Sequence, residues 1–321
     1  MPERTDFTSD AAPELVLGVD GGGSRCTAVL ATRKADGIHE LGRGDGGPAN
    51  AGTVGFDEAA GNIAAAVAAA FVSARRPAER VAAACLGLAG AGRDEVRERW
   101  LAWAREQLLA DRIDVVPDGV PAFRGDGAHP WGLLVIAGTG SVVWGRSQAG
   151  NLERCGGRGG IVGDEGSGWA IALAGLRATV RSADGWGPPT RLADMALARF
   201  EAESAADLPA ALMRPGTTRG KIAAFAADVV AAAEGGDAPA NRILDEAAGD
   251  LGRQAAEVAR RLDFRSGEVP LRVAGGLLCR ATLLRDGLVA WLTAAGLRPA
   301  VVIVADDLAA AAARTAAMCG P

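Results

Sequence analysis

The chain has 321 residues, 49% of them hydrophobic, a length that predicts one large domain or, as we expect here, two of medium size. The 34 basic and 39 acidic residues give a net charge of -5 without a long run of either sign, so composition favours a small-molecule partner over nucleic acid or a membrane surface. Five widely spaced cysteines show no metal-ligand spacing and are interpreted as reduced thiols. Because residues 1–14 are polar and no later stretch is apolar enough to span a membrane, we expect a cytoplasmic protein.

The N-terminal part predicts three strands followed by alternating helices and strands. Apolar and β-branched runs between turn residues indicate the strands ELVLGVD, RCTAVLATR and GIHELGR. Helical spacing then covers 57–75 and 94–109, and apolar runs predict strands at 81–90 and 112–118. This alternation argues for a sheet with parallel members covered by helices.

The opening pattern returns at residues 132–157, GLLVIAGTGSVVWGRSQAGNLERCGG, as strand, glycine hairpin, strand, turn and strand. At an offset of 117 residues Gly21 falls on Gly138 and Ser24 on Ser141. A repeat of this length can arise by chance in a glycine-rich chain, but the matching three-strand continuation favours a duplicated fold.

The rest of the chain predicts a helical insert and then a return to strands. Helices are expected at 167–183, 190–204, 219–234 and about 239–262, followed by strands LRVAGG and AVVIVA with a helix at 280–295 between them and a last helix from Asp307. We therefore place one domain at 1–118, completed by the helix of 306–321, and a second at 119–305.

Both glycine hairpins are candidates for phosphate binding. Glycine tolerates positive φ and lets the backbone approach a ligand, so successive amides can point at an anion. In the first hairpin Ser24 adds a hydroxyl, and Asp20 is suited to Mg²⁺ or its water shell. The alternative is a plain glycine-rich hairpin, and no GxxxxGK[ST] P-loop is present. The predicted phosphate contacts are Gly21, Gly22, Gly23, Ser24, Gly138, Thr139, Gly140 and Ser141.

Three polar residues are further candidates. Asp118 ends a predicted strand and can accept the proton of an attacking hydroxyl, although VVPDGVP also fits a turn-forming aspartate. Asn50 lies on a loop where its amide can donate to and accept from a polar ligand, or it is an ordinary loop residue. Thr139 can hydrogen-bond a phosphate or a hydroxyl group.

Four segments together carry a family resemblance. LGVDGGGSRCTAVL, VVPD, LLVIAGTGSVVWG and GGRGGIVGDEGSGWAIA are similar to the phosphate-1, connecting, phosphate-2 and sugar-site segments of N-acetylglucosamine kinase-like members of the BadF/BadG/BcrA/BcrD ATPase family. That family lies within the actin/hexokinase/Hsp70 superfamily. The resemblance runs through nearly the whole chain and also includes DGWGPPT (184–190) and VAGGLLCRATLL (273–284). It implies an α/β fold of duplicated actin-like ATPase, ribonuclease H-like domains with a central cleft and a helical insert in the second domain.

The resemblance also implies residue roles. Asp118 matches the family's catalytic aspartate, and Gly275 with Gly276 lies in a segment similar to the adenosine site. The segment GDEGSGW is the most specific for substrate, and its resemblance implies sugar contacts. The implied sugar-binding set is Asn50, Thr139, Gly157, Asp164 and Glu165. The alternative interpretation of the same segment is structural, a turn followed by a helix whose N-terminus is capped by Ser167.

Two segments depart from the family pattern. Arg158 stands where members often carry an aromatic residue, which bears on the shape of the sugar pocket. Residues 304–318 lack the usual small-residue pattern before the final helix. Neither departure removes a predicted catalytic group.

The predicted function is an ATP- and Mg²⁺-dependent kinase that phosphorylates the 6-hydroxyl of N-acetylglucosamine. Glucosamine, other amino sugars and glucose remain open as substrates. A second hypothesis is an ATP-driven activator of a dehydratase or reductase with an iron–sulfur cluster, for which Cys155 lacks a partner cysteine at suitable spacing. A third is a non-catalytic sugar sensor. ATP and an amino sugar are the expected partners, with no nucleic acid or membrane, and related kinases suggest a homodimer.

Overall fold

A computed structural model describes residues 14–125, 129–264, 268–305 and 307–318. The expectations for residues 1–13, for residue 306 and for Cys319 lie outside the described residues.

The described residues form two compact units, one running to Pro121 with the chain from Ala309 added, and the other spanning Ala122–Leu308. The first contains strands β1 to β5 and helices α1 to α3, with α4 (Val120–Arg124) at the division and the final helix α13 (Leu308–Met318) added from the end of the chain. The other elements are β1 (Glu14–Gly21), β2 (Cys26–Lys34), β3 (Gly37–Gly46), α1 (Ala51–Val54), α2 (Phe56–Ser73), β4 (Val81–Leu88), α3 (Asp94–Glu106) and β5 (Ala110–Pro117).

The first sheet has the order β3-β2-β1-β4-β5. The first three strands are antiparallel, whereas β1, β4 and β5 run parallel. Alternate residues of β1 face opposite sides, as the period of a strand requires, so that Leu17 packs with α2 and α3 while Val16 packs with α13. Both faces of this sheet are therefore covered, and its parallel strands end at one common edge.

Helix α13 lies close to β1 at Gly18, where the missing side chain leaves room for a helix of small residues. Its sequence is LAAAAARTAAM, and seven of its residues are buried, six of them alanines. A Cβ on Gly18 would collide with the backbone of Ala313 and Ala309. Although residues 304–318 depart from the family's usual pattern before the final helix, that helix packs against the first sheet.

The second unit repeats the sheet and adds helices. Its elements are β6 (Gly132–Ala137), β7 (Ser141–Arg146), β8 (Leu152–Gly156), α5 (Gly168–Ala183), α6 (Leu192–Phe200), α7 (Leu208–Leu212), α8 (Arg219–Ala223), α9 (Ala226–Glu234), α10 (Ala238–Arg261), β9 (Glu268–Ala274), α11 (Gly276–Arg280), α12 (Thr282–Ala294) and β10 (Arg298–Ala305). The sheet order is β10-β9-β6-β7-β8.

The two sheets have the same topology. Read from its antiparallel edge, the second is β8-β7-β6-β9-β10, which matches β3-β2-β1-β4-β5 strand for strand. The matching pairs are also antiparallel or parallel alike. The predicted α/β class and the duplicated sheet are confirmed.

The residue-level alignment of the repeat is wrong at the hairpin. Gly21 pairs with Cys26 across the first turn, whereas Ala137 pairs with Ser141 across the second. The first turn is therefore one residue longer, and Ser141 begins a strand while Ser24 lies within a turn. When the two hairpins are aligned by the residue pairs that close their turns, Gly21 corresponds to Ala137 and Cys26 corresponds to Ser141. The predicted offset of 117 residues therefore fits neither strand of the hairpin.

Several predicted helices are shorter or divided. The helix expected at 190–204 ends at Phe200, because Glu201 adopts left-handed backbone with φ 51°. The helix expected at 219–234 is divided into α8 and α9 around the fully buried Phe225. The helix expected at 280–295 is α12, and a short helix that was not predicted, α11, precedes it and is separated from it at Ala281, whose ψ of 89° is not helical.

Helix α10 is the longest described helix, and its start is strongly specified. Asp237 accepts a hydrogen bond from the amide of Ala240 at 2.9 Å, and Pro239 lies in the first turn. The same carboxylate accepts from the hydroxyl of Thr190 and from the amide of Arg191. Asp237 thus ties the start of α10 to the segment before α6. Among the described helices, none is long and apolar enough to cross a membrane.

Candidate functional site

The first hairpin turns its carbonyl groups into the protein. The oxygen of Gly21 accepts from the amide of Ala89 at 2.8 Å, and that of Gly22 accepts from Ala49 at 2.9 Å. The amide of Gly22 closes the turn on the carbonyl of Arg25 at 3.0 Å. With these carbonyls held by neighbouring segments, amide groups nearer the tip can serve as donors to an anion.

The second hairpin has the same arrangement. The carbonyl of Gly138 accepts from Gly168 at 2.8 Å, and that of Thr139 accepts from Trp169 at 3.2 Å. Gly138 donates to Gly140 at 2.9 Å, which closes the turn. In each unit, therefore, a glycine hairpin follows a strand at the edge of the sheet where its parallel strands end. Carbonyl groups of the hairpin accept hydrogen bonds from within the protein.

The glycines of these hairpins do not use left-handed backbone, which corrects one part of the prediction, and only some of them are required by close packing. None of Gly21, Gly22, Gly23, Gly138 and Gly140 is among the described glycines with positive φ. A Cβ on Gly21 would lie 2.5 Å from the side chain of Leu88, and one on Gly140 would lie 2.8 Å from Asp164 Oδ2. A Cβ on Gly23 would meet no atom within 4 Å.

Asp20 and Asp118 lie at the edge of the first sheet where its parallel strands end. Asp20 is opposite Gly87 of β4, and Asp118 follows the last residue of β5, so one strand separates them and their strands are about 10 Å apart. Both residues are partly buried. The carboxylate of Asp118 accepts from the amide of Gly119 at 3.0 Å, so the turn role that the sequence allowed is present. A catalytic role for its carboxylate stays a prediction.

Asn50 caps a short helix in the first unit. Its side-chain oxygen accepts from the amide of Gly52 at 3.0 Å, and a Cβ on Gly90 would lie 3.4 Å from that oxygen. Gly90, with φ 87°, follows β4, so Asn50 lies beside the same sheet edge as the first hairpin. The cap uses the oxygen of the side chain and leaves its amide group for a ligand.

The segment after β9 lies against the second hairpin. Gly275 has φ 86°, and a Cβ there would lie 2.5 Å from the carbonyl oxygen of Ala137. A Cβ on Gly138 would lie 3.8 Å from the amide nitrogen of Gly276. The structure therefore brings the predicted phosphate and adenosine segments of this unit together.

The loop between β8 and α5 is organised around a buried carboxylate. Asp164 adopts φ 61° and is 4% exposed. It accepts from the amide of Gly159 at 3.2 Å and forms an ion pair with Arg219 of α8. A contact of this carboxylate with sugar hydroxyls stays a prediction. Its hydrogen bond to Gly159 and its ion pair with Arg219 hold the loop in place.

The other predicted residues of this loop have distinct surroundings. Glu165 is exposed and accepts from Gln254 Nε2 of α10 at 3.2 Å. Ser141 is 4% exposed, and its hydroxyl donates to the carbonyl of Glu165 at 2.7 Å, so its side chain braces the loop. Gly157 is exposed with φ 66°, and a Cβ there would lie 2.9 Å from Val142. Ser167 caps α5 by accepting from Ala170 at 3.2 Å.

Sequence reasoning missed Arg219 and Gln254. Both reach the loop from helices of the insert, 55 and 89 residues away from their carboxylate partners along the chain. No local pattern marks either residue, because the contact depends on how α8 and α10 pack against the loop.

Two like sheets, each with a glycine hairpin at its parallel edge, define a duplicated α/β protein of the actin-like type. The model of the BadF/BadG/BcrA/BcrD ATPase family matches residues 17–312, and the chain belongs to this family.

Known relatives and a solved structure agree with this assignment. The chain is 32% identical to N-acetylmuramic acid/N-acetylglucosamine kinase of Clostridium acetobutylicum over 84% of this chain and 88% of the relative. It is 28% identical to N-acetyl-D-glucosamine kinase of Dictyostelium discoideum over 85% of this chain and 88% of the relative. A crystal structure from Chromobacterium violaceum, described as that of a proposed N-acetylglucosamine kinase, matches with a TM-score of 0.70 and 26% identity, covering 95% of this chain and 100% of the other.

Proposed function

We propose that the protein is an ATP-dependent kinase that phosphorylates the 6-hydroxyl of an amino sugar, with N-acetylglucosamine as the first candidate. The observation that carries this proposal is the pair of glycine hairpins whose carbonyls are held by the protein. Such hairpins offer amide donors to phosphate oxygens without a lysine. Membership of an ATPase family supports ATP as the phosphate donor.

The proposed roles in the first unit are phosphate binding, metal binding and proton acceptance. Gly21, Gly22, Gly23 and Ser24 bind phosphate oxygens. Mg²⁺ normally keeps several waters and takes one or two protein carboxylates besides the phosphates, so the single partly buried Asp20 fits this ion. When bound, the ion neutralises phosphate charge. Asp118 accepts the proton of the sugar hydroxyl.

The proposed roles in the second unit concern ATP and the sugar. The hairpin of Gly138, Thr139, Gly140 and Ser141 borders the phosphate, and Gly275 with Gly276 borders the adenosine. Asp164 and Glu165 accept from sugar hydroxyls, Gly157 leaves room for the ring, and Thr139 completes the polar contacts of this unit. Asn50 of the first unit is a further proposed sugar contact. Phosphoryl transfer requires mainly alignment and charge stabilisation, which these groups supply.

The names of the relatives guide the choice of sugars to test. A coupled assay should follow ADP production with N-acetylglucosamine, N-acetylmuramic acid, glucosamine and glucose, and mass spectrometry with NMR should locate the phosphate. We expect ADP production only with an amino sugar and a 6-phosphate product. Equal ATP hydrolysis with and without sugar would contradict the proposal.

The activator hypothesis is tested by the same preparation. Iron in stoichiometric amount, together with sugar-independent hydrolysis, would favour it over a kinase. Within the described residues, no group of three or more metal-ligating side chains is present. We also propose a homodimer, which light scattering on the purified protein can measure.

A further inference from the structure

Asp164 is a buried carboxylate whose charge is matched by one arginine. Its side chain is 6% exposed, and its two oxygens accept from the amide of Gly159 and from Arg219. A buried carboxylate is stable only with a charge partner or hydrogen bonds. Each oxygen keeps a second lone pair, so the carboxylate can still accept from a ligand hydroxyl.

Packing fixes the position of the Arg219 guanidinium. Its carbon lies 5.4 Å from the ring centroid of Trp169, within the range of a cation–π contact. Trp169 in turn donates from Nε1 to the carbonyl of Gly160 at 3.1 Å. A Cβ on Gly160 would lie 2.7 Å from Arg219 Nη2, so the loop leaves space for this guanidinium.

Arg219 therefore connects three segments: α8, the start of α5 and the loop that carries Asp164. The Asp164 backbone has φ 61°, which is uncommon for an aspartate and needs support from its surroundings. The arginine is 38% exposed and so lies between the buried carboxylate and solvent.

We propose that Arg219 is a positioning residue of the sugar site, which orients the Asp164 carboxylate for hydroxyl groups of an amino sugar. This inference rests on the proposed kinase function. The guanidinium itself bonds to the Asp164 carboxylate, a proposed sugar ligand, whereas the second hairpin is held independently by its own backbone hydrogen bonds. Loss of the guanidinium should therefore affect sugar binding more than nucleotide binding.

The test compares Arg219→Gln with Arg199→Gln. Arg199 is a matched control because it also forms an ion pair with an aspartate of the same unit, Asp228, at 35% and 22% side-chain exposure. We expect Arg219→Gln to raise KM for the amino sugar ~10-fold or more and to leave KM for ATP within about 2-fold. Arg219→Lys, which keeps the charge but not the planar fork, should recover part of the loss. Arg199→Gln should leave both values near wild type.

A second measurement separates positioning from folding. Calorimetric titration with the sugar alone should show weaker binding to Arg219→Gln, and the effect should shrink in an Asp164→Asn background, because contacting residues are not additive. An unchanged sugar KM, or equal losses for both substrates with a lower melting temperature than Arg199→Gln, would overturn the inference. Wild-type protein that neither binds nor phosphorylates any amino sugar would instead overturn the proposed function, and the inference with it.

Discussion

Replacing Gly138 with alanine tests the second hairpin as a phosphate site without disturbing the fold. The added Cβ would meet nothing closer than the amide nitrogen of Gly276 at 3.8 Å, an ordinary contact distance. Gly138 does not have positive φ, so backbone strain is not expected. The free energy of unfolding should therefore change by no more than ~0.5 kcal/mol.

The same methyl group should weaken ATP binding considerably. It would project towards Gly276, between the two segments that we propose to contact the nucleotide. Displacing one charge-assisted hydrogen bond to phosphate costs about 1.5 to 3 kcal/mol, and about 1.4 kcal/mol corresponds to a factor of ten. We therefore expect the Kd for ATP to rise ~10- to 150-fold.

On the same protein, calorimetric titration with MgATP measures the Kd for ATP, and urea denaturation measures the free energy of unfolding. Gly61→Ala, in α2, is the control for ATP affinity, because a Cβ there meets no atom within 4 Å. It should leave ATP binding unchanged and raise the free energy of unfolding by about 0.5 to 1 kcal/mol, since alanine favours a helix interior over glycine. An ATP affinity unchanged by Gly138→Ala, at unchanged stability, would refute the phosphate role of this hairpin.

Three other experiments test the remaining assignments. Asp118→Asn should lower kcat ~10²- to 10⁴-fold while ATP binding persists, and a variant with more than about a tenth of wild-type turnover would contradict the base assignment. Asp20→Asn should instead chiefly raise the Mg²⁺ concentration that activity requires. Gly275→Ala should lower the melting temperature more than Gly296→Ala, since both have φ 86° but only the former meets backbone atoms; equal shifts would contradict the packing argument. Burial, with nearby acidic charge, raises the pKa of the Cys26 thiol to about 11. Alkylation of Cys26 at about pH 8 should therefore be slow in the native protein and fast in urea. Rapid labelling of Cys26 in the native protein would contradict this burial.

The sequence predicts the sheets well because their pattern is local. Alternating apolar runs bounded by glycines identify β1, β2 and β3, and the recurrence of that pattern identifies the second sheet. Helix breaks are harder to predict, because they depend on tertiary packing. The buried Phe225 and the left-handed Glu201 divide or end helices that uninterrupted apolar spacing would continue.

The candidate site is predictable only in part for the same reason. Glycines and carboxylates after strands stand out in the sequence, and they do lie at the parallel edges of their sheets. Arg219 and Gln254 do not stand out, because each meets its partner through helix packing over a long sequence separation. Ser141 shows the converse, since its motif suggests a ligand contact while its hydroxyl is used to hold the loop.

The duplication explains why the hairpins repeat while the charged groups do not. Asp20 has an apolar counterpart in the second unit, which is Ile136 by the strand ladder. In the proposed kinase both hairpins can bind phosphate, because backbone amides are the same in each copy. The carboxylate that does lie beside the second hairpin, Asp164 next to Gly140, is paired with Arg219, so the proposed metal and base roles fall to the first unit and the sugar loop to the second.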